Sequence, residues 1–119
     1  MSKEHDFTAT LKWTGNQGTG TSSYRAYTRD WTLQSEGKKA IACSNDPLLG
    51  GNAGLYNPED MLIAALSSCH MLWFLHLASD AGIVVHSYED TPIGTGESLP
   101  DGTGRFIYAE LRPKIGLTP

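Results

Sequence analysis

Between Pro58 and Gly82 the chain carries no glycine or proline, and this run constrains the fold more than any other feature. Asn57 can cap a helix, Pro58 suits the first helical position, and Glu59 and Asp60 favour the positive end of the helix dipole. Gly82 sits where a helix normally stops. The spacing predicts roughly 24 residues of helix, about 36 Å at 1.5 Å per residue. Its apolar residues, Met61, Leu62, Ile63, Leu66, Met71, Leu72, Trp73, Phe74, Leu75 and Leu77, go nearly all round the cylinder, so the helix is expected to be buried on most sides. Ser67, Ser68, Cys69, His70 and His76 interrupt the run and no Lys or Arg flanks it, which argues against a membrane span.

Around this helix the periodicity changes to two. Phe7 to Thr14 alternates apolar and polar residues as a half-buried strand does, and Gly15-Asn16-Gln17-Gly18 reads as a turn. Gly20 to Gln34, rich in Thr, Tyr and Trp, predicts a second, antiparallel strand. Lys39 to Ser44 gives a short third strand, and Ser44 to Tyr56, crowded with Gly, Asn and Pro, a loop. After the helix, Ile83 to Thr95 and Arg105 to Leu117 read as two strands joined by a hairpin loop at Ser98 to Gly104. Strands, one central helix and more strands make an α+β fold, and 119 residues suit a single domain, 1–119.

A net charge of −4 without a Lys/Arg cluster gives no electrostatic footprint for nucleic acid or an anionic membrane, so small molecules or proteins are the expected partners. The polar start of the chain lacks the apolar core of a signal peptide, which points to the cytoplasm. The two cysteines, Cys43 and Cys69, form no CxxC pair and should be free thiols in a reducing compartment. No metal site is expected, because a Cys/His centre would want more ligands at shorter range than Cys69, His70 and His76 provide.

Cys69 is the residue to which chemistry would fall, and its helical neighbours Ala65, Leu66, Leu72 and Trp73 make its surroundings apolar. In such a place a cysteine is either an inert small hydrophobe or a nucleophile that imports a positive charge, since it lies too far along the helix for the dipole to lower its pKa. Arg25 and Arg29, four apart on the expected second strand and so on one face, are the available cations, each with a solvated sheet arginine as its alternative reading. Glu59 is stabilised in the first helical turn whether or not it has another role. Cys43 reads as a strand residue.

The stretch Asn57-Pro58-Glu59-Asp60-Met61-Leu62-Ile63-Ala64-Ala65-Leu66-Ser67-Ser68-Cys69-His70-Met71 closely resembles the OsmC/Ohr superfamily of osmotically induced and organic-hydroperoxide-resistance proteins. The Glu-to-Cys spacing and the strands on either side fit, and the continuation through Trp73 and Phe74 looks like the OsmC-like branch. The resemblance implies an intertwined homodimer with an antiparallel sheet packed on a long central helix and sites at the subunit interface. It implies a Cys-based peroxidase for organic hydroperoxides, without a cofactor, with Cys69 as the attacking thiolate and Glu59 steering an arginine. Leu66, Leu72 and Trp73 would line the substrate pocket, and an external thiol, lipoyl or another dithiol, would be the reductant. The family arginine follows the first strand, where this chain has Asn16 and Gln17, so Arg25 or Arg29 must substitute. The resemblance places the family's resolving cysteine on a helix beyond residue 119, and the 1–119 domain is expected to lack the family's C-terminal strand and helix. A non-catalytic protein that binds an apolar or thiol-bearing small molecule in the same pocket is the alternative reading.

The spacing of Glu59 and Cys69 adds a geometric expectation. Ten residues on a continuous helix separate them by roughly 15 Å, so one chain cannot bring them together. If both serve one site, the acid comes from a second subunit.

Overall fold

The computed structural model describes residues 2–118 and divides into two compact units, 1–58 and 59–119. The first is a three-stranded antiparallel meander, β1 (Thr10–Trp13), β2 (Trp31–Gln34) and β3 (Ile41–Cys43), in the order β1-β2-β3. Trp13 stands opposite Trp31, and Trp31 opposite Cys43. The expected second strand over Gly20 to Gln34 is therefore confined to its last four residues, and the first strand to Thr10–Trp13. Residues 16 to 30 lie outside the strands, with an isolated antiparallel bridge between Asn16 and Tyr27. Asn16 accepts the backbone N–H groups of Gly18 and Gly20 on its Oδ1, a local closure that competes with strand pairing. The Thr and Tyr residues that suggested a strand spend their polar groups inside this unit, as when Tyr24 donates its hydroxyl to the carbonyl of Leu49.

The core of this unit sits at the end of β3. Cys43 and Ser44 are fully buried, Ser44 N–H bonds to Tyr56 O at 2.9 Å, and the Ser44 hydroxyl donates to Asp30 while accepting from Asn52 N–H. Trp31 donates its indole N–H to Ser44 O. The loop that follows contains one 3₁₀ turn, Pro47–Leu49, capped by Asp46, whose carboxylate accepts from Leu48 N–H.

The second unit begins with α1, which runs from Pro58 to Asp80 and has Glu59 and Asp60 in its first turn, as the sequence predicts. It ends in a Schellman arrangement: Ile83 N–H reaches Ala78 O at 2.8 Å, Gly82 N–H reaches Ser79 O at 3.1 Å, and Gly82 takes φ 76°, which a side chain would strain. The remainder is a long hairpin with both arms broken. Its tip is β5 (Ile93–Ser98) paired with β6 (Gly104–Glu110), and its base is β4 (Val85–Glu89) paired with β7 (Lys114–Leu117). The two strands expected over Ile83–Thr95 and Arg105–Leu117 are thus four. Each break holds a proline, Pro92 in one arm and Pro113 in the other, and a proline cannot donate to the ladder.

Asp90 repairs the break. Its Oδ1 accepts Arg112 N–H at 2.7 Å, and its Oδ2 accepts the hydroxyl of Ser67 on α1 at 2.5 Å. The helix meets the hairpin at Ile63, Ser67 and Phe74, which share one face with the half-buried Met71 and the buried Ala78. Contact is close at Gly94, where a Cβ would fall 2.5 Å from Ile63 Cγ2 and 2.7 Å from Phe106 Cε1. Phe74 packs against Tyr88, whose hydroxyl lies 3.1 Å from His70 Nδ1. The α+β class stands. The expectation of a helix buried on most sides does not, because only Ser67 and Ala78 of α1 are buried. The hairpin of its own unit can cover one side of a cylinder, and the apolar residues go round all sides.

Candidate functional site

The uncovered side of α1 has a regular construction. Glu59, Leu62, Leu66, Cys69, Trp73, His76 and Asp80 succeed one another at alternating intervals of three and four, the a/d spacing of a heptad seam, and all seven are exposed. At roughly 100° per residue this seam lies on the far side of the helix from Ser67 and Ala78. Leu66 is 47% exposed and Trp73 61%, so the apolar content of the seam is in the open. By length and mean hydropathy, 1.6 over its most apolar stretch, α1 could also cross a membrane.

Cys69 occupies the middle of the seam. Both cysteines are free, but in opposite settings: Cys69 is exposed, whereas Cys43 is buried. Burial pushes the Cys43 thiol above its ordinary pKa, which keeps it protonated and unreactive. The apolar neighbours expected around Cys69, among them Leu66, Leu72 and Trp73, are themselves exposed and leave the thiol accessible.

Of the three residues expected to line a pocket, Leu72 and Trp73 do border one shallow depression, and Leu66 does not. His76 is the third wall. It meets Trp73 edge to face with ring centroids 5.8 Å apart, and it lies one turn beyond Trp73 on the seam that holds Cys69. A strict reading of the a/d interval would have found it in the sequence. Among the described residues no group of three or more His, Cys, Asp or Glu side chains is placed to hold a metal ion.

Glu59 and Cys69 belong to one unbroken helix, so their separation of roughly 15 Å holds and the chain does not bring them together. Arg25 and Arg29 belong to the first unit. They do not share a strand face, because residues 25 and 29 lie in the loop before β2. Arg29 is fully committed there. Its guanidinium sits 3.8 Å over the ring of Tyr24 and 4.0 Å over that of Tyr27, with its terminal nitrogens donating to Tyr24 O and Tyr27 O. Arg25 is exposed and makes no hydrogen bond or ion pair among the described residues.

An α+β chain with a long, apolar, cysteine-bearing helix between a meander and a hairpin defines a recognisable class. The family profile described as OsmC-like protein matches residues 50–117, more than half of the chain, and the chain belongs to that family. Among solved structures it is similar to an OsmC-like protein of unknown function from Vibrio cholerae O1 biovar eltor. That match has 27% identity and a TM-score of 0.85, and covers 98% of this chain and 77% of the other. Comparison with curated proteins gives no match.

Proposed function

We propose that this chain is a thiol-dependent peroxidase that reduces organic hydroperoxides through Cys69, working as a homodimer in a reducing cytoplasm with its 119 residues as one OsmC-like domain. The observation that carries the reading is an exposed cysteine at the centre of an exposed apolar seam in a member of the OsmC family, which is generally linked to peroxidase activity. A thiolate needs access to its substrate, and an alkyl hydroperoxide needs apolar surface beside the thiolate. The seam offers both.

In this reading the Cys69 thiolate attacks the distal peroxide oxygen. The S–O bond forms as the O–O bond breaks, giving a sulfenic acid on Cys69 and an alkoxide that takes up a proton to leave as an alcohol. An external dithiol, lipoyl or another, then condenses with the sulfenic acid to form a mixed disulfide and water. Its second thiol releases reduced Cys69 and leaves the dithiol oxidised. The thiolate requires a cation nearby, and the helix supplies none. Arg25 is the better candidate for that role, because Arg29 already spends both terminal nitrogens on carbonyls and stacks on two tyrosine rings within its own loop. Glu59, too far away in its own chain, steers the arginine from a second copy, which covers part of the apolar seam and leaves Cys69 within reach of substrate. Leu72 and Trp73, with His76, form the pocket for the hydrocarbon substituent.

Stopped-flow oxidation with an alkyl hydroperoxide, followed by intact-mass analysis, tests this reading. Oxidation faster than with hydrogen peroxide, a Cys69 sulfenic acid or external-thiol adduct in the mass, and complete loss in Cys69→Ser are expected. Full peroxide reduction by Cys69→Ser sinks the mechanism. The depression at Leu72, Trp73 and His76 also suits a non-catalytic binding protein, whose mark would be a Cys69 inert to alkylating agents at neutral pH.

A further inference from the structure

Away from α1 and its thiol, charge collects where the hairpin is broken. Tyr88 turns to the helix, where it packs on Phe74, so its strand neighbour Glu89 turns to the opposite, outer face. Lys114 is the Cα partner of Glu89 across the ladder and shares that face. Gly94 lies against Ile63 of the helix, and by the same alternation Ile93 points outward, where it is 39% exposed. Glu89, Thr91, Ile93, Arg112 and Lys114 line a depression here of about 260 Å³, the volume of a site for a small organic molecule.

Arg112 is anchored twice at this break. Its backbone N–H bonds to Asp90 Oδ1 at 2.7 Å, and its Nε donates to Glu110 Oε2 at 2.6 Å. The terminal nitrogens of its guanidinium make no hydrogen bond or ion pair among the described residues. Neither does the Lys114 ammonium, although Glu89 stands opposite, nor the hydroxyl of Thr91. An anchored guanidinium loses little freedom on binding, and its free donors form a planar fork that matches the two oxygens of a carboxylate. We propose that this depression binds an organic carboxylate, with the anion across the terminal nitrogens of Arg112 and beside Lys114, the Thr91 hydroxyl donating to it, and its apolar stem on Ile93. Glu89 and Glu110 offset the two cations, so the site has no net charge, which disfavours a phosphate dianion more than a monoanion. Because the depression is on the face turned away from α1, the proposal stands apart from the chemistry of Cys69.

Titration of the protein with sodium hexanoate, followed through backbone amide chemical shifts, tests the site. Shifts are expected at Thr91, Ile93, Arg112 and Lys114, saturating with a dissociation constant on the order of a millimolar. Arg112→Gln keeps the backbone N–H that Asp90 holds and should weaken binding about tenfold, and Lys114→Gln about threefold. Glu89→Gln removes a competing acid and should tighten binding about threefold. Arg105→Gln, whose parent guanidinium is paired with Glu97 on the same hairpin, should bind as the parent protein does. Hexan-1-ol at the same concentration should leave these amides unmoved, which separates the carboxylate from its chain. Shifts that gather elsewhere overturn the proposal, as does binding that survives Arg112→Gln undiminished or is no tighter in Glu89→Gln. Inorganic phosphate that binds as tightly as hexanoate would overturn it too, by making the site one for phosphate.

Discussion

The two faces of α1 share one backbone and nearly the same apolar content, yet they do opposite things. On one, Ser67 and Ala78 are buried, and Ser67 ties the helix to Asp90 at the break in the hairpin. On the other, Leu62, Leu66, Cys69 and Trp73 are in the open. The difference teaches that hydrophobicity alone did not decide which side of the helix faces the hairpin. Both sides are apolar enough, and the packed side is marked by one polar tie, Ser67 to Asp90, and by Ile63 fitting against Gly94, where the hairpin carries no side chain.

The strongest way to break this comparison is to put the same charge on each face. Ala78→Glu buries a carboxylate with no partner and should cost about 3 kcal/mol or more, enough to unfold much of the protein, as circular dichroism and urea titration would read. Leu66→Glu should leave the fold intact within about 0.5 kcal/mol and instead remove the proposed homodimer, measured by sedimentation. If the two variants behaved alike, the faces would not differ as described. Next in size is the tie itself. Asp90→Ala removes the acceptor for both Ser67 and Arg112 N–H and should lower stability by about 2 kcal/mol in a urea titration. Asp90→Asn, which keeps one acceptor and gains a donor toward Ser67, should lose less.

Much of the fold was legible in the sequence, and the misses have physical causes. The helix could be read almost to the residue because its start and stop are encoded locally, by Pro58 with its two acids and by Gly82. The hairpin tip was equally local. The strand over Gly20 to Gln34 was misread because Thr, Tyr and Trp are strand formers only when their neighbours form a ladder. Here Asn16, Tyr24 and Arg29 build a loop from side-chain bonds to backbone that no propensity records. Asp90 was missed for the same reason, since its partners are 23 and 22 residues away. Cys69 could be singled out from its helix, but its exposure could not, because a helix that is apolar all round does not say which side its own chain covers.

The two arginines repeat the contrast between a committed and an open residue on a smaller scale. Arg29→Ala removes a guanidinium held between two tyrosine rings and two carbonyl bonds, and should cost about 1–2 kcal/mol of stability, seen as a lower urea midpoint. Arg25→Ala should change stability by less than about 0.5 kcal/mol while slowing the reaction of Cys69 with hydroperoxide, if Arg25 supplies the cation. Loss of that reaction only in Arg29→Ala, with stability unchanged, would reverse the assignment.

The smallest expected effect belongs to the buried thiol. Because burial raises the pKa of Cys43 in the folded chain, its contribution to stability is complete below the unfolded-state pKa of roughly 8.5. Above that pH the unfolded chain releases the Cys43 proton while the folded chain holds it, so stability falls as pH rises toward the folded value. Urea midpoints measured from pH 7 to pH 10 should decline more steeply for the parent protein than for Cys43→Ala, whose lower but flatter curve lacks this linkage. The same comparison sharpens the contrast with Cys69. Iodoacetamide at neutral pH should add one group to the folded protein, at Cys69, and a second, at Cys43, only once the chain is unfolded. Two groups added to the folded protein would mean that the end of β3 opens far more readily than its burial implies.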